Sequence, residues 1–148
     1  METTGLIVVA TVLVVGMAAG LWRRRGEGRL VTKVSEERIE PALLTELGVG
    51  PAQATLLQFS SAFCAPCRAV RRVSGEVAAM IPGVRHVEVD AESHLEAVRA
   101  LNIWRTPTLL VLDAEGRVAK RATGVPAKAQ LIAVLGTVLT SESAPEHG

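Results

Sequence analysis

Charge of one sign is what this sequence lacks. Sixteen Lys and Arg residues stand against fifteen Asp and Glu, a formal net charge of +1 at pH 7, so composition gives no electrostatic footprint for nucleic acid. Cysteine is nearly absent, with Cys64 and Cys67 the only two in the chain. Internal repeats are missing, as are low-complexity tracts outside the polar tail from Ser141 to Gly148. At 148 residues there is no room for a second full core beside the first. Lys and Arg are also missing from the first twenty-two residues, where Glu2 is the single charge.

That last absence coincides with a long apolar run. Gly5 to Trp22 reads GLIVVATVLVVGMAAGLW, eighteen residues without a charged side chain. As a helix it spans about 27 Å, close to the roughly 30 Å of a bilayer's hydrocarbon core. Trp22 stands where an interfacial aromatic is expected. The start, Met1-Glu2-Thr3-Thr4, lacks the basic residues that open a secretory signal. Ala18, Ala19 and Gly20 imitate a cleavage site, but Trp22 and Arg23-Arg24-Arg25 follow at once. The expected organisation is a retained single-pass transmembrane helix over 5–22, a basic juxtamembrane linker over 23–28, a domain over 29–140 and a polar tail over 141–148. Positive charge flanking a span tends to stay in the cytoplasm. Arg23, Arg24 and Arg25 therefore place the domain on the cytoplasmic side of the cell membrane. The rival use of these arginines is to bind lipid headgroups on whichever side they lie.

Within the domain, RLVTKV (29–34) alternates weakly, as a first strand would. Glu36 to Leu47 has room for a short helix, with Ser35 as N-cap and Pro41 interrupting its early turns. Gly48-Val49-Gly50-Pro51 is turn chemistry. Thr55 to Phe59 is nearly all apolar, as a strand covered on both faces requires. Cys64 to Met80 has helical spacing, with Val70, Val73, Val77 and Met80 as the expected buried stripe. RHVEVD (85–90) alternates, with Val87 and Val89 facing one way. Ser93 to Leu101 reads as a helix with Leu95, Val98 and Leu101 aligned, and Thr108 to Leu112 as a buried strand. Asp113 to Gly116 is a hairpin turn leading to a strand from Arg117 to Arg121. Pro126 to Leu139 closes the chain as a helix with Leu131, Val134, Leu135 and Val138 inward. The order β-α-β-α-β-β-α implies an α/β fold, a mixed sheet with helices on both faces.

The two cysteines form Cys64-Ala65-Pro66-Cys67, a spacing that allows a small disulfide ring or a shared metal. The pair opens a helix just after a buried strand. Cys64 thus lies where unpaired backbone N–H groups and the helix dipole favour a thiolate. Cys67, one turn inside, is shielded and acts second. Pro66 suits a first helical turn and stiffens the ring. A purely stabilising bridge is a poor alternative, because a loop of two intervening residues constrains the unfolded chain little. Two thiolates leave tetrahedral zinc half-liganded, and His86 and His94 complete no usual zinc spacing. No metal and no cofactor are expected.

On these residues the chain resembles the thioredoxin superfamily. FSSAFCAPCRAV is similar to that family's active-site segment, and NIWRTPTLLVLDAEGRV to its later segment with a cis-proline and a hairpin, with Gly124 at a family glycine. The resemblance covers roughly residues 29 to 139. It implies Cys64 as nucleophile, Cys67 as resolving thiol and the two as a redox-active disulfide. It also implies Pro107 as the facing cis-proline, Thr106 offering its backbone to a peptide, and supporting roles for Phe63, Ala65 and Pro66. Against the family pattern, Gln58 stands at the place of a buried carboxylate and His86 at that of its lysine partner. Gln cannot take up a proton near neutral pH, so a base for Cys67 is not evident. Phe63 and Ser60 stand where Trp is common, and Ala65 where thioredoxin itself has Gly.

The resemblance implies a thiol–disulfide oxidoreductase exchanging electrons with protein dithiols and disulfides, served by a separate electron donor or acceptor. Two alternatives are an extracytoplasmic thiol reductant of the cytochrome c maturation type and a non-catalytic redox-sensing binding module. Arg68, Arg71 and Arg72 either bias the thiolate or form a solvated helix face. His86 is either a partner of Gln58 or an ordinary strand histidine, and Trp104 lines a substrate groove or fills the core.

Overall fold

The computed structural model describes residues 2–26, 30–31 and 37–143. Its first element, α1 (Glu2–Gly26), is apolar from Thr3 to Arg25 with a mean hydropathy of 2.3, and none of it is buried. It is long and apolar enough to cross a membrane. The helix outruns the expected 5–22. Arg23, Arg24 and Arg25, assigned to a linker from sequence, form its last turn, where cations complement the negative end of the helix dipole.

Among the described residues five strands and four helices follow. They are β1 (Leu30–Val31), α2 (Pro41–Glu46), β2 (Ala54–Ser60), α3 (Ala65–Met80), β3 (Val84–Asp90), α4 (Leu95–Ala100), β4 (Thr108–Asp113), β5 (Val118–Thr123) and α5 (Lys128–Ser143). From β2 onward this is the expected order. The sheet runs β1-β5-β4-β2-β3, with β2 and β3 parallel and every other pairing antiparallel. The parallel pair needs a crossover, which α3 supplies; the antiparallel β4 and β5 need only a tight turn. That turn is fixed by the Asp113 carboxylate, which accepts the backbone N–H groups of Glu115 and Arg117, and by Gly116 at φ +77°.

All seven residues of β2 are buried because the strand lies inside the sheet, between β4 and β3, and is covered on both faces. Alternate residues feed two cores. Leu57 and Phe59 join Leu110, Leu112, Ala97 and Leu101 on the side of α2 and α4. Leu56 joins Leu109, Val111, Val70, Val77, Leu131 and Leu135 on the side of α3 and α5. The sheet with helices on both faces is thus built as the apolar pattern requires.

Several local expectations are corrected. Pro41 starts α2 instead of interrupting it, since a first-turn residue has no intrahelical N–H bond to lose. Glu40, not Ser35, is the N-cap; Ser35 and most of the expected first strand lie outside the described residues, Leu30 and Val31 excepted. Met80 is largely exposed, because α3 ends there and its buried face is Cys67, Val70, Ser74 and Val77. Leu95, at the start of the short α4, is also exposed, and Ala97 takes the inward place. The returning strand begins at Val118 because Arg117 belongs to the turn, and α5 continues to Ser143, into the expected tail.

Leu57→Ala removes a fully buried side chain from the middle of one core. It is expected to lower unfolding free energy by about 2–5 kcal/mol in urea titration; a loss below about 1 kcal/mol would contradict this packing.

Candidate active site

β2 ends at Ser60 and α3 begins at Ala65, so the sheet delivers the chain directly to the helix N-terminus. Cys64 is the N-cap residue, with extended φ −105° and ψ 96°. Its sulfur accepts the backbone N–H of Cys67 at 3.2 Å, taking the place that a Ser or Asp oxygen holds at other helix starts. Pro66 sits in the first turn. Cys64 and Cys67 are joined in a disulfide with Cα atoms 5.2 Å apart. The two sulfurs are unequal: Cys64 is partly exposed, whereas Cys67 is 1% exposed beneath the helix. A molecule arriving from solvent meets Cys64.

The loop before β4 forms the facing wall. The Thr106–Pro107 peptide bond is cis, and Pro107 is buried. Ser61 Oγ and Thr106 Oγ1 lie 2.9 Å apart, tying the segment before the cysteines to the proline loop. The Gly124 N–H donates to the Pro107 carbonyl at 3.0 Å, and Gly124 does so at φ +85°, a conformation that favours glycine. Pro66, Arg105, Thr106, Pro107, Gly124 and Val125, with Arg24 from α1, line one shallow groove. The site residues read from sequence are therefore brought together: Pro66 between the cysteines and Thr106–Pro107 share a wall. Phe63 and Trp104 are 103% and 90% exposed, so Trp104 fills no core. Ala65 is an exposed residue opening α3.

Beneath the disulfide runs a chain of polar side chains. The Gln58 amide, fully buried, donates from Nε2 to the Cys67 carbonyl and to Ser60 Oγ, both at 2.9 Å. Ser60 donates to Glu88 Oε1 at 2.7 Å, and Arg71 grips both Glu88 oxygens through Nε and Nη2. Gln58 Oε1 meets His86 Nε2 at 2.9 Å. The pairing of Gln58 with His86 is as one sequence reading has it, and Arg71 is engaged with Glu88 instead of simply facing solvent. Glu88 was missed as a site-proximal group, and Ser60 was read only as a replacement for a family Trp, without its hydrogen bonds. The signal was the period of two, which puts Gln58 and Ser60 on one face of β2 and His86 and Glu88 on the same face of β3.

The ionisations follow from this chain. The Arg71 hydrogen bond above all holds the Glu88 carboxyl below its ordinary range, against partial burial, and Ser60 adds to the effect. Burial pushes the His86 imidazole below its ordinary range; the Glu88 charge opposes this and the Arg71 charge reinforces it.

A family model described as Thioredoxin matches residues 37–137, more than half of the chain. The chain belongs to the thioredoxin family. The match excludes α1, so the apolar helix is an addition to the family domain. A thioredoxin of Chlamydia trachomatis serovar D is 26% identical over 106 residues, covering 72% of this chain and 96% of that protein. Among solved structures, chloroplastic thioredoxin z superposes with a TM-score of 0.58 at 22% identity, covering 77% of this chain and all of that one. Thioredoxin from Trypanosoma brucei brucei superposes with a TM-score of 0.56 at 18% identity, covering 74% and 97%. These superpositions speak to the fold. The thioredoxin-like α/β architecture expected from the two motifs is what the chain adopts.

Both depressed groups act on stability in the same direction. Where a group's folded pKa is lowered, the unfolded chain binds the proton first, so stability is lost as pH falls. The loss begins below about pH 6.5 for His86 and below about pH 4.5 for Glu88, their ordinary values. Urea midpoints are expected to fall from pH 7.5 to pH 5.5 and again toward pH 4, with His86→Gln abolishing the upper step alone. A flat midpoint between pH 7.5 and 5.5 in the wild type would contradict the burial of the imidazole.

Proposed function

We propose that this protein is a membrane-anchored thiol–disulfide oxidoreductase that exchanges electrons with protein dithiols and disulfides through Cys64 and Cys67. The observation that carries the reading is the inequality of the two sulfurs. Cys64 is partly exposed at a helix N-terminus, two residues from the Pro66 that lines a groove, and Cys67 lies buried one turn inside. Backbone N–H groups at that terminus favour a Cys64 thiolate, the attacking species.

In the reducing direction, Cys64 thiolate attacks one sulfur of a substrate disulfide. A bond forms between them, and the other substrate sulfur leaves as thiolate and takes a proton from water. Cys67, deprotonated in turn, attacks Cys64 Sγ and expels the remaining substrate sulfur. Two electrons pass to the substrate and the Cys64–Cys67 bond closes. Pro66 and Ala65 shape the ring, Phe63 offers an apolar contact beside the nucleophile, and Thr106 and Pro107 align an extended substrate segment in the groove. Gln58 does not ionise near neutral pH and cannot act as a base, so Cys67 deprotonation relies on its own thiol ionisation. The same residue favours a second reading, a redox-sensing binding module in which exchange is slow.

The anchor is α1, with residues 23–25 at its cytoplasmic end and the domain on that side. Residues 29–140 form the catalytic domain in this reading.

Cys67→Ser is expected to trap mixed disulfides through Cys64, visible as bands that vanish on reduction; no trapped species, with a Cys64→Ser control equally blank, would overturn the exchange mechanism. Turnover separates the readings: insulin reduction well above a Cys64→Ser background supports the enzyme, and its absence despite a reducible disulfide supports the module. For sidedness, a Ser141→Cys reporter in a chain lacking Cys64 and Cys67 is expected to resist a membrane-impermeant thiol reagent in intact cells and to react after lysis. Labelling of intact cells would reverse the assignment.

A further inference from the structure

The hydrogen bonds beneath the cysteines determine where the proton sits on His86. Glu88, held ionised by Arg71, offers only lone pairs, so the Ser60 hydroxyl must donate to it. Ser60 Oγ then presents a lone pair to Gln58, and the amide atom facing it must be Nε2. The Cys67 carbonyl is also an acceptor and requires the same nitrogen. Two acceptors on different elements therefore orient the amide, which leaves Oε1 toward β3. An amide oxygen only accepts, so His86 Nε2 carries a hydrogen and donates it. In the neutral ring Nδ1 holds the lone pair. A proton added there leaves every bond of the chain intact.

We propose that His86 is a positioning residue of the cysteine site: through Gln58 it holds the Cys67 carbonyl in the first turn of α3, and its protonation at Nδ1 favours the Cys64 thiolate of the reduced pair. This rests on the oxidoreductase reading. When a substrate dithiol reduces the protein, the Cys64–Cys67 bond breaks and a disulfide forms in the substrate, transferring two electrons and two protons. With His86 neutral at the outset, one proton ends on Cys67 and the other on His86 Nδ1, leaving Cys64 as thiolate. Without a base at position 86, the second proton goes to Cys64 or to water. The charged groups facing the ring are Glu88 on its own strand, which favours protonation, and Arg71 from α3, which opposes it. From β2 only neutral side chains meet it, Gln58 by its hydrogen bond and Leu56 as its strand partner. In the disulfide form burial keeps the ring neutral at pH 7, so the effect belongs to the acidic side of neutrality and to the reduced state.

The test is the rate of alkylation of Cys64 by iodoacetamide in the reduced full chain in detergent micelles, from pH 5 to pH 8, with Cys67 replaced by Ser in every sample. His86→Gln retains a donor for Gln58 but takes no proton; His86→Leu removes both. The wild-type profile is expected to exceed His86→Gln by about fivefold at pH 5.5, the order of effect of one partly screened charge, with the ratio falling toward one at pH 8. His86→Leu, if folded, is expected to differ from the wild type at both ends of the range. Superimposable wild-type and His86→Gln profiles would overturn the proposal. Failure of the Cys67→Ser protein to trap a mixed disulfide with any disulfide substrate would overturn the oxidoreductase reading instead, and it leaves the alkylation comparison readable.

Discussion

The bond from the Gln58 amide to the Cys67 carbonyl is the link on which the site depends. It joins an inner strand of the sheet to the first turn of the helix that Cys64 caps and Cys67 enters. Gln58 is fully buried, so leaving either of its polar atoms without a partner would cost about 1–3 kcal/mol. Its three hydrogen bonds, to Cys67, Ser60 and His86, therefore act as one requirement. β2, β3 and α3 must keep their mutual register for all three to be met. The inequality of the cysteines follows. Cys67 is pulled under the helix while Cys64 caps it, and the capping sulfur stays at the surface.

Much of this was legible in the residues. The nearly all-apolar run from Thr55 to Phe59 announces a strand covered on both sides, and the alternation in RHVEVD announces a strand with Val87 and Val89 on one face. The two motifs around Cys64 and Pro107 pick out the segments whose Pro66, Thr106 and Pro107 line one groove in the fold. What escaped was decided by tertiary contact. Met80 and Leu95 have the right helical spacing but fall at helix ends, where the core no longer reaches. Pro41 looked like a breaker because sequence cannot say on which side of it a helix begins. Glu88 is an unremarkable acid until a parallel register sets it opposite Gln58 and a helix brings Arg71 over it.

The arginines around the site show how packing changes the meaning of charge. Arg68, Arg71 and Arg72 read as one basic cluster in sequence. In the fold Arg71 is engaged by Glu88, so its field at the cysteines is largely cancelled. The pair instead closes the outer end of the polar chain, holding Ser60 as a donor to the carboxylate and thereby fixing the orientation of the amide inside. An exposed ion pair of this kind matters here for the direction it imposes on neighbouring hydrogen bonds more than for its own strength.

Only residues 27–29 separate α1 from β1. Fully extended, the chain from Gly26 to Leu30 reaches about 15 Å at most. With α1 seated in a bilayer, the exposed sulfur stays within a few nanometres of the lipid surface and searches for targets in two dimensions. Anchored in that way, the domain would meet dithiols held in the same membrane at high local concentration, with freely diffusing proteins at a disadvantage.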